Sequence, residues 1–162
     1  MNSLSKLNAA FARGLIAAAA IGLILMTLIV GWQVYGRYIL NKSPDWSEQA
    51  ALALMIWYVC LAAAAGIHQN FHIRIVALEE KVSGRTKSIM ALIRHGVTFF
   101  CGVIMGVYGI QLVAETWVHA VPTLPFTRGM VYLVVPISGV LIALFSTELF
   151  FTDISKNKGT SI

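Results

Sequence analysis

Four long stretches without charged residues divide the chain, and each is about as long as a helix that crosses a membrane. They run from 14 to 35, 49 to 67, 96 to 114 and 129 to 147. A bilayer core requires ~20 consecutive apolar residues in an α-helix. The pattern therefore predicts an all-α integral membrane protein with four transmembrane helices. The predicted spans are about 14–36, 47–67, 90–116 and 128–151.

A shorter amphipathic pattern lies between the second and third runs. Ile75, Leu78 and Val82 recur at helical spacing, while charged side chains such as Arg74 and Glu79 fill the other side. Such a segment is typical of a helix that lies along the membrane surface. We therefore expect an interfacial helix at about 72–83.

Composition supports a membrane protein. The 162 residues are 58% hydrophobic and 12% charged, whereas soluble domains carry about 25% charged residues. The connections between the runs are short, so no soluble domain large enough for chemistry remains. We predict one membrane domain, 1–162. The first run could instead be a secretory signal, but its 22 uncharged residues exceed an h-region of ~7–15 and no A-x-A site follows.

The basic residues are distributed unequally between the two predicted membrane faces. Nine lie before the first span, between the second and third, or after the fourth, and three lie in the other two loops. Because cytoplasmic loops carry the excess of Lys and Arg, both termini are predicted to be cytoplasmic. The net charge of +5 therefore reflects a membrane face, and nucleic acid is not an expected partner.

Residues that could carry chemistry are few. The centres of the spans lack Asp, Glu, Lys and Arg, which usually mark ion paths and proton relays in a membrane. Cys60 and Cys101 fall inside apolar runs and are predicted to be buried, reduced thiols. A haem held between histidines is an alternative, but no two histidines on different helices fall at mid-span. We expect no enzyme activity and no cofactor.

The outer end of the second span carries several amphipathic side chains. Asp45 is predicted to N-cap the helix, with Glu48 completing a capping box, and Trp46 is expected at headgroup depth. Glu48 could act through the helix dipole alone or contact a partner subunit. Trp57, at mid-span, is expected to pack against a neighbouring helix. Arg37 could pair with Asp45 or Glu48, or remain solvated.

Three further patterns concern the packing of the last two spans. Gly102 and Gly106 form a GxxxG pair, which favours close helix packing. Thr127 is a plausible N-cap for the fourth span. Pro136 lies inside that span and is expected to kink it, because proline lacks a backbone N–H.

The order of these features resembles a known family. A Trp-Ser-Glu sequence at 46–48 begins the second span, an apolar run containing Trp57 follows, and His72 precedes the amphipathic segment. A basic inner loop, a proline-containing outer loop and Pro136 complete the order. The chain resembles, from about 15 to 151, the small membrane subunit of tripartite ATP-independent periplasmic (TRAP) transporters, the DctQ-like family. It departs at Gln49 and Ala51, where relatives often carry charges, and at Arg74, where they often carry an acidic residue.

The resemblance implies a non-catalytic subunit in a bacterial inner membrane. In that family a large membrane subunit carries sodium and an organic acid, such as a dicarboxylate, sialic acid or another sugar acid, which a periplasmic binding protein delivers. The small subunit binds the large one and widens its static scaffold, and membrane lipids surround the complex. Candidate contacts or interfacial anchors are Trp46, Glu48, Trp57, His72 and Arg74. Candidates for the outer surface facing the binding protein are Arg37, Glu115 and Arg128.

The alternative function is a self-contained four-helix carrier or channel that works as a homo-oligomer. Proteins of that kind typically place a carboxylate inside the membrane, and Glu48 is the candidate near a span start.

Overall fold

The computed structural model describes residues 3–42, 44–68 and 85–159, and these residues form five helices. The helices are α1 (Ser3–Tyr38), α2 (Trp46–His68), α3 (Arg85–Thr116), α4 (Arg128–Tyr132) and α5 (Val134–Gly159).

Four helical stretches are long and apolar enough to cross a membrane, which confirms the predicted all-α membrane class. They are Ala10–Tyr38, Trp46–His68, Leu92–Thr116 and Arg128–Thr152. The last combines α4 and α5. The interfacial helix predicted at about 72–83 lies outside the described residues. We name the helix ends joined by the α1–α2 and α3–α4 connections the outer end, after the orientation that the charges predict, and the opposite end the inner end.

The long helices pack in the order α1, α2, α5, α3 rather than in the order of the sequence. The most extensive contacts join α3 to α5 and α1 to α2, and a smaller interface joins α2 to α5. The fourth span is the most enclosed, with 39% of its apolar window buried, and the first the least, with 6%. The fold is therefore two helix pairs, α1–α2 and α3–α5, joined side by side.

One seam of α1 is enclosed. Its partly or fully buried positions repeat every three or four residues, the spacing of left-handed helix pairing. Gly22, on this seam, lies so close to α2 that a Cβ there would be 3.1 Å from the Tyr58 Cβ. The seam is formed by Asn8, Ala12, Leu15, Ala19, Gly22, Met26, Ile29, Gln33 and Gly36.

Glycines bring α3 and α5 into backbone contact, which confirms the close-packing face predicted from the GxxxG pair. A Cβ on Gly102 would lie 2.8 Å from the Ala143 amide nitrogen. A Cβ on Gly139 would lie 2.5 Å from the Gly106 amide nitrogen, and one on Gly109 would meet Pro136. No side chain fits at these positions, so the two helices approach as closely as their backbones allow.

The fourth span is interrupted at Leu133, between α4 and α5. Pro136 is the third residue of α5, where a helix does not need its N–H as a donor, and its ring would crowd the carbonyl of Tyr132 in a continuous helix. The predicted kink stays a prediction, because Leu133 keeps helical backbone angles of φ −53° and ψ −30°. Thr127 is confirmed as the N-cap, since its hydroxyl accepts from the Met130 amide at 3.4 Å.

Two predictions of local structure were wrong. Asp45 makes no side-chain hydrogen bond to the first turn of α2; instead the buried Ser47 hydroxyl donates to the Pro44 carbonyl at 2.7 Å. This bond stabilises the turn before α2. Neither the Asp45 nor the Glu48 side chain bonds to the backbone there, so the predicted capping box does not form. Cys101 is exposed on α3 and Cys60 is half-buried, so only part of the expected thiol burial occurs within this chain. The reason is that helix packing, not hydropathy, decides which apolar positions face inward.

Candidate partner-contact surface and inner polar junction

The outer end carries several exposed aromatic side chains. Trp32 stacks on Tyr35 with ring centroids 5.9 Å apart, and Trp46 and Trp117 are also exposed. Aromatic rings of this kind favour the boundary between lipid and water. Tyr38 is the most exposed of them, at 77%. Exposed aromatic side chains therefore lie at or beside the outer ends of α1, α2 and α3.

The α3–α4 connection is a fixed turn. The Arg128 amide donates to the His119 carbonyl at 2.8 Å, and the Val121 amide donates to the Phe126 carbonyl at 3.0 Å. At its tip, Thr123 has φ 68°, and its hydroxyl donates to the Asp45 carbonyl at 3.2 Å. This last bond ties the turn to the α1–α2 connection, so the two outer loops form one surface.

The charged residues predicted for the outer surface are all solvent-accessible there. Arg37 ends α1, Glu115 is near the end of α3, and Arg128 begins α4, and each side chain is exposed. No hydrogen bond or ion pair joins Arg37 to Asp45 or Glu48. Of the two alternatives for Arg37, the structure favours the solvated arginine over an ion pair with Asp45 or Glu48.

The predicted contact residues of α2 fall on two opposite sides of that helix. Trp46 and Trp57 are eleven residues apart and share one side, because eleven residues make about three turns. Glu48 lies on the other side, in an exposed stripe with Leu52, Met55, Val59 and Ala62. The two stripes are opposite because α1 and α5 cover the sides between them.

Two of the predicted anchors, His72 and Arg74, lie outside the described residues. Trp57 was expected to pack against a neighbouring helix, and its side chain is 38% exposed in this chain. It is therefore open to lipid or to another subunit.

Three helices meet in a polar junction at the inner end, which we name the inner junction: Asn8 of α1, His68 of α2 and Glu148 of α5. The Asn8 side-chain amide donates to Glu148 Oε2 at 2.7 Å. His68 Nε2 lies 3.9 Å from the same oxygen, and both ring and carboxylate are mostly enclosed. The His68 ring also packs edge-on against Phe145, with centroids 5.1 Å apart.

An apolar cluster lies next to the inner junction and is built from the same three helices. Its buried members are Ala12, Ala64, Ile67, Ile142 and Phe145. The sequence did not indicate this grouping, because the polar residues are far apart along the chain and each resembles an ordinary helix-end side chain. The packing of α1, α2 and α5 brings residues 8, 68 and 148 together.

A second polar contact joins α3 to α5 near the inner end. The Ser146 hydroxyl donates across the helix pair to the His95 carbonyl at 2.8 Å. The His95 ring is buried, faces Phe150 edge-on, and has Nε2 3.2 Å from Arg94 Nη2. Within the described ranges, no three His, Cys, Asp or Glu side chains come close enough to hold a metal ion.

These features define a multi-pass membrane protein whose described charged side chains lie toward the ends of the four spans or outside them. The family model for the DctQ component of tripartite ATP-independent periplasmic transporters matches residues 26–156. The chain belongs to this family and is a small subunit of a TRAP transporter, which confirms the resemblance drawn from the sequence.

A curated relative agrees with the family assignment. The chain is 26% identical over 125 residues to the sialic acid TRAP transporter small permease protein SiaQ of Vibrio cholerae serotype O1. The similar region covers 76% of this chain and 71% of that protein.

Proposed function

We propose that this chain binds and braces the large membrane subunit of a sodium-coupled importer for an organic acid, in a bacterial inner membrane with both termini cytoplasmic. The absence of charged residues from the centres of the four spans carries the proposal. A path for sodium or a carboxylate needs polar or charged groups at mid-membrane. The chain therefore serves as scaffold, and its partner carries the solute.

The openness of the fold also supports a scaffold. Only 6% to 39% of each apolar window is buried within the chain, so most of the surface that crosses the membrane is available to lipid or to a second subunit. Helices in a membrane associate through close packing and polar contacts rather than through the hydrophobic effect. A broad helical layer of this kind can extend the surface of a larger partner.

The exposed stripes of α2 are the proposed sites of contact or anchoring. Glu48 marks one stripe at the outer end, while Trp46 and Trp57 mark the other. His72 and Arg74 are proposed as anchors at the inner membrane surface. A rigid large subunit can contact only one face of a helical layer. We therefore propose that one stripe of α2 contacts the large subunit and that the other stripe faces lipid.

The outer surface is proposed to face a periplasmic substrate-binding protein. Arg37, Glu115 and Arg128 are exposed there, and the turn fixed by Thr123 keeps the two loops together. The related protein is named for sialic acid; for this chain we propose the wider class of organic acids, namely dicarboxylates, sialic acid or other sugar acids. Specificity then resides in the other two components.

Reconstitution tests the proposal. Liposomes with a sodium gradient receive this chain alone, the large subunit alone, or both, with the binding protein and a panel of labelled organic acids outside. We expect uptake only when both membrane subunits are present, and co-purification of the two. Uptake by this chain alone would overturn the proposal and support the homo-oligomeric carrier.

Replacement of Glu48 tests the contact at the outer end. We expect Glu48→Ala to reduce recovery of the large subunit in a pull-down, because the polar group that Glu48 contacts on the large subunit loses its carboxylate partner near the membrane boundary. The preferred acid should stay the same. Gln111→Ala, an equally exposed polar position on α3, is the matched control. Equal recovery with Glu48→Ala and the native chain would remove Glu48 from the contact.

A further inference from the structure

The contacts within each helix pair differ from the contacts that join the two pairs. Within α3–α5 the glycines place backbone against backbone, and within α1–α2 a continuous seam runs from Asn8 to Gly36. Between the pairs, α2 has no fully buried residue from Leu52 to Ala63. A hydrogen bond joins the pairs at each end, from Asn8 to Glu148 at the inner end and from Thr123 to Asp45 at the outer end.

The inner end of this joint contains a carboxylate that accepts a hydrogen bond from Asn8 of α1 and lies 3.9 Å from His68 Nε2 of α2. Glu148 belongs to α5, whereas Asn8 and His68 belong to α1 and α2. The Asn8 side-chain nitrogen lies 2.7 Å from this carboxylate oxygen, which is within the range of an N–H···O hydrogen bond.

We propose that Glu148 is the latch of a hinge between the α1–α2 pair and the α3–α5 pair. The latch holds the inner ends together, and the bond from Thr123 to Asp45 marks the outer end of the same joint. When the carboxylate is removed, Asn8 loses its hydrogen-bond acceptor and His68 loses its neighbouring carboxylate, which leaves the apolar cluster beside them. The pairs then separate at the inner end while each pair stays intact.

The latch also determines where the chain leaves α2. His68 is the last residue of that helix, and residues 69–84 connect it to α3. Glu148 is thus a positioning residue for the start of this basic cytoplasmic connection. The latch lies within this chain and does not depend on the transported substrate.

Distances between spin labels test the hinge in the full chain, reconstituted in lipid nanodiscs after Cys60 and Cys101 are replaced by alanine. One label pair reports on the inner end, at the exposed Phe11 and Thr152 positions; another reports on the outer end, at Val34 and Ile137. We expect Glu148→Ala to lengthen and broaden the inner distance distribution and to leave the outer one unchanged. Asn8→Ala should produce a smaller change of the same kind.

Two further variants keep the test decisive. Glu148→Gln keeps an oxygen that can accept from Asn8 and should restore most of the native inner distribution, while Glu115→Gln makes the same chemical change away from the joint and should alter neither pair. If Glu148→Ala does not fold, the inner distance distribution of Asn8→Ala is compared with that of the native chain. A longer and broader distribution in Asn8→Ala then supports the latch. An unchanged inner distribution, or equal broadening at both ends, would overturn the latch.

Discussion

At the scale of single residues, the hydroxyl groups show how the spans satisfy polar atoms in lipid. The threonine hydroxyls at 27, 98, 116, 147 and 152 each donate to the carbonyl four residues earlier in their own helix. Ser146 is different, because its bond crosses to α3. Lipid offers no partner to an unsatisfied polar group. An in-helix bond satisfies the hydroxyl without joining two helices, whereas the Ser146 bond adds to helix association.

We predict that Ser146→Ala lowers the free energy of unfolding by about 0.6 kcal/mol, the average for an interhelical hydrogen bond in a membrane. Thr147→Val, at the next position, removes a hydroxyl that bonds within α5 and should have a smaller effect. Unfolding of both variants in bicelles provides the comparison. Equal losses would show that the bond to His95 adds nothing beyond an ordinary in-helix hydroxyl.

At the scale of the elements, backbone contact between α3 and α5 is the tightest packing described. Gly102, Gly106 and Gly109 of α3 face Gly139 and Pro136 of α5. The absence of side chains allows the approach, and the close approach gives dispersion contacts along the whole pair. Other glycines have a different role, since a Cβ on Gly96 would meet nothing within 4 Å.

We predict that Gly102→Ala destabilises the protein by about 1–3 kcal/mol, because the added methyl group overpacks a rigid backbone contact. Gly96→Ala is the matched control, as it makes the same change on the same helix in open space and should preserve or raise stability. Thermal unfolding in detergent measures both. A tolerated Gly102→Ala would mean that α3 and α5 separate more easily than the contacts indicate.

At the scale of the whole molecule, the helices form an open layer rather than a closed bundle. α2 lies between α1 and α5, so it keeps one exposed stripe on each face of the layer. Met55 is exposed on one face and Trp57 on the other. The proposed bracing role needs one face for a partner and another for lipid, and the layer has two exposed faces at α2.

The openness leads to a prediction about the assembled complex. Spin labels at Met55 and Trp57 should both be accessible to oxygen dissolved in lipid when the chain is alone. On addition of the large subunit, one of the two should lose accessibility and the other should keep it, because the labels lie on opposite faces. Power-saturation electron paramagnetic resonance with dissolved oxygen measures the accessibility of each label. A label at the exposed Phe100 on α3 gives a further comparison. Protection of both labels at α2 would contradict a partner on one face.

The sequence by itself predicted the four membrane-spanning helices and indicated the protein family. Uncharged runs of sufficient length predicted four spans, since a lipid core leaves the backbone few alternatives to a helix. The glycine pair at 102 and 106 and the N-cap at Thr127 were also predictable, because each depends on neighbours within its own element or on a recurrent packing motif. The order of short motifs around Trp46, Trp57 and His72 indicated the family.

The tertiary structure alone decided which apolar surfaces face inward. Helix α1 is apolar on all sides, so hydropathy does not distinguish the seam at Ala12 and Gly22 from the exposed positions. The order α1, α2, α5, α3 and the meeting of Asn8, His68 and Glu148 depend on contacts between residues up to 140 positions apart. In lipid the hydrophobic effect does not select an inner face, so close packing and a few shared polar bonds make that choice.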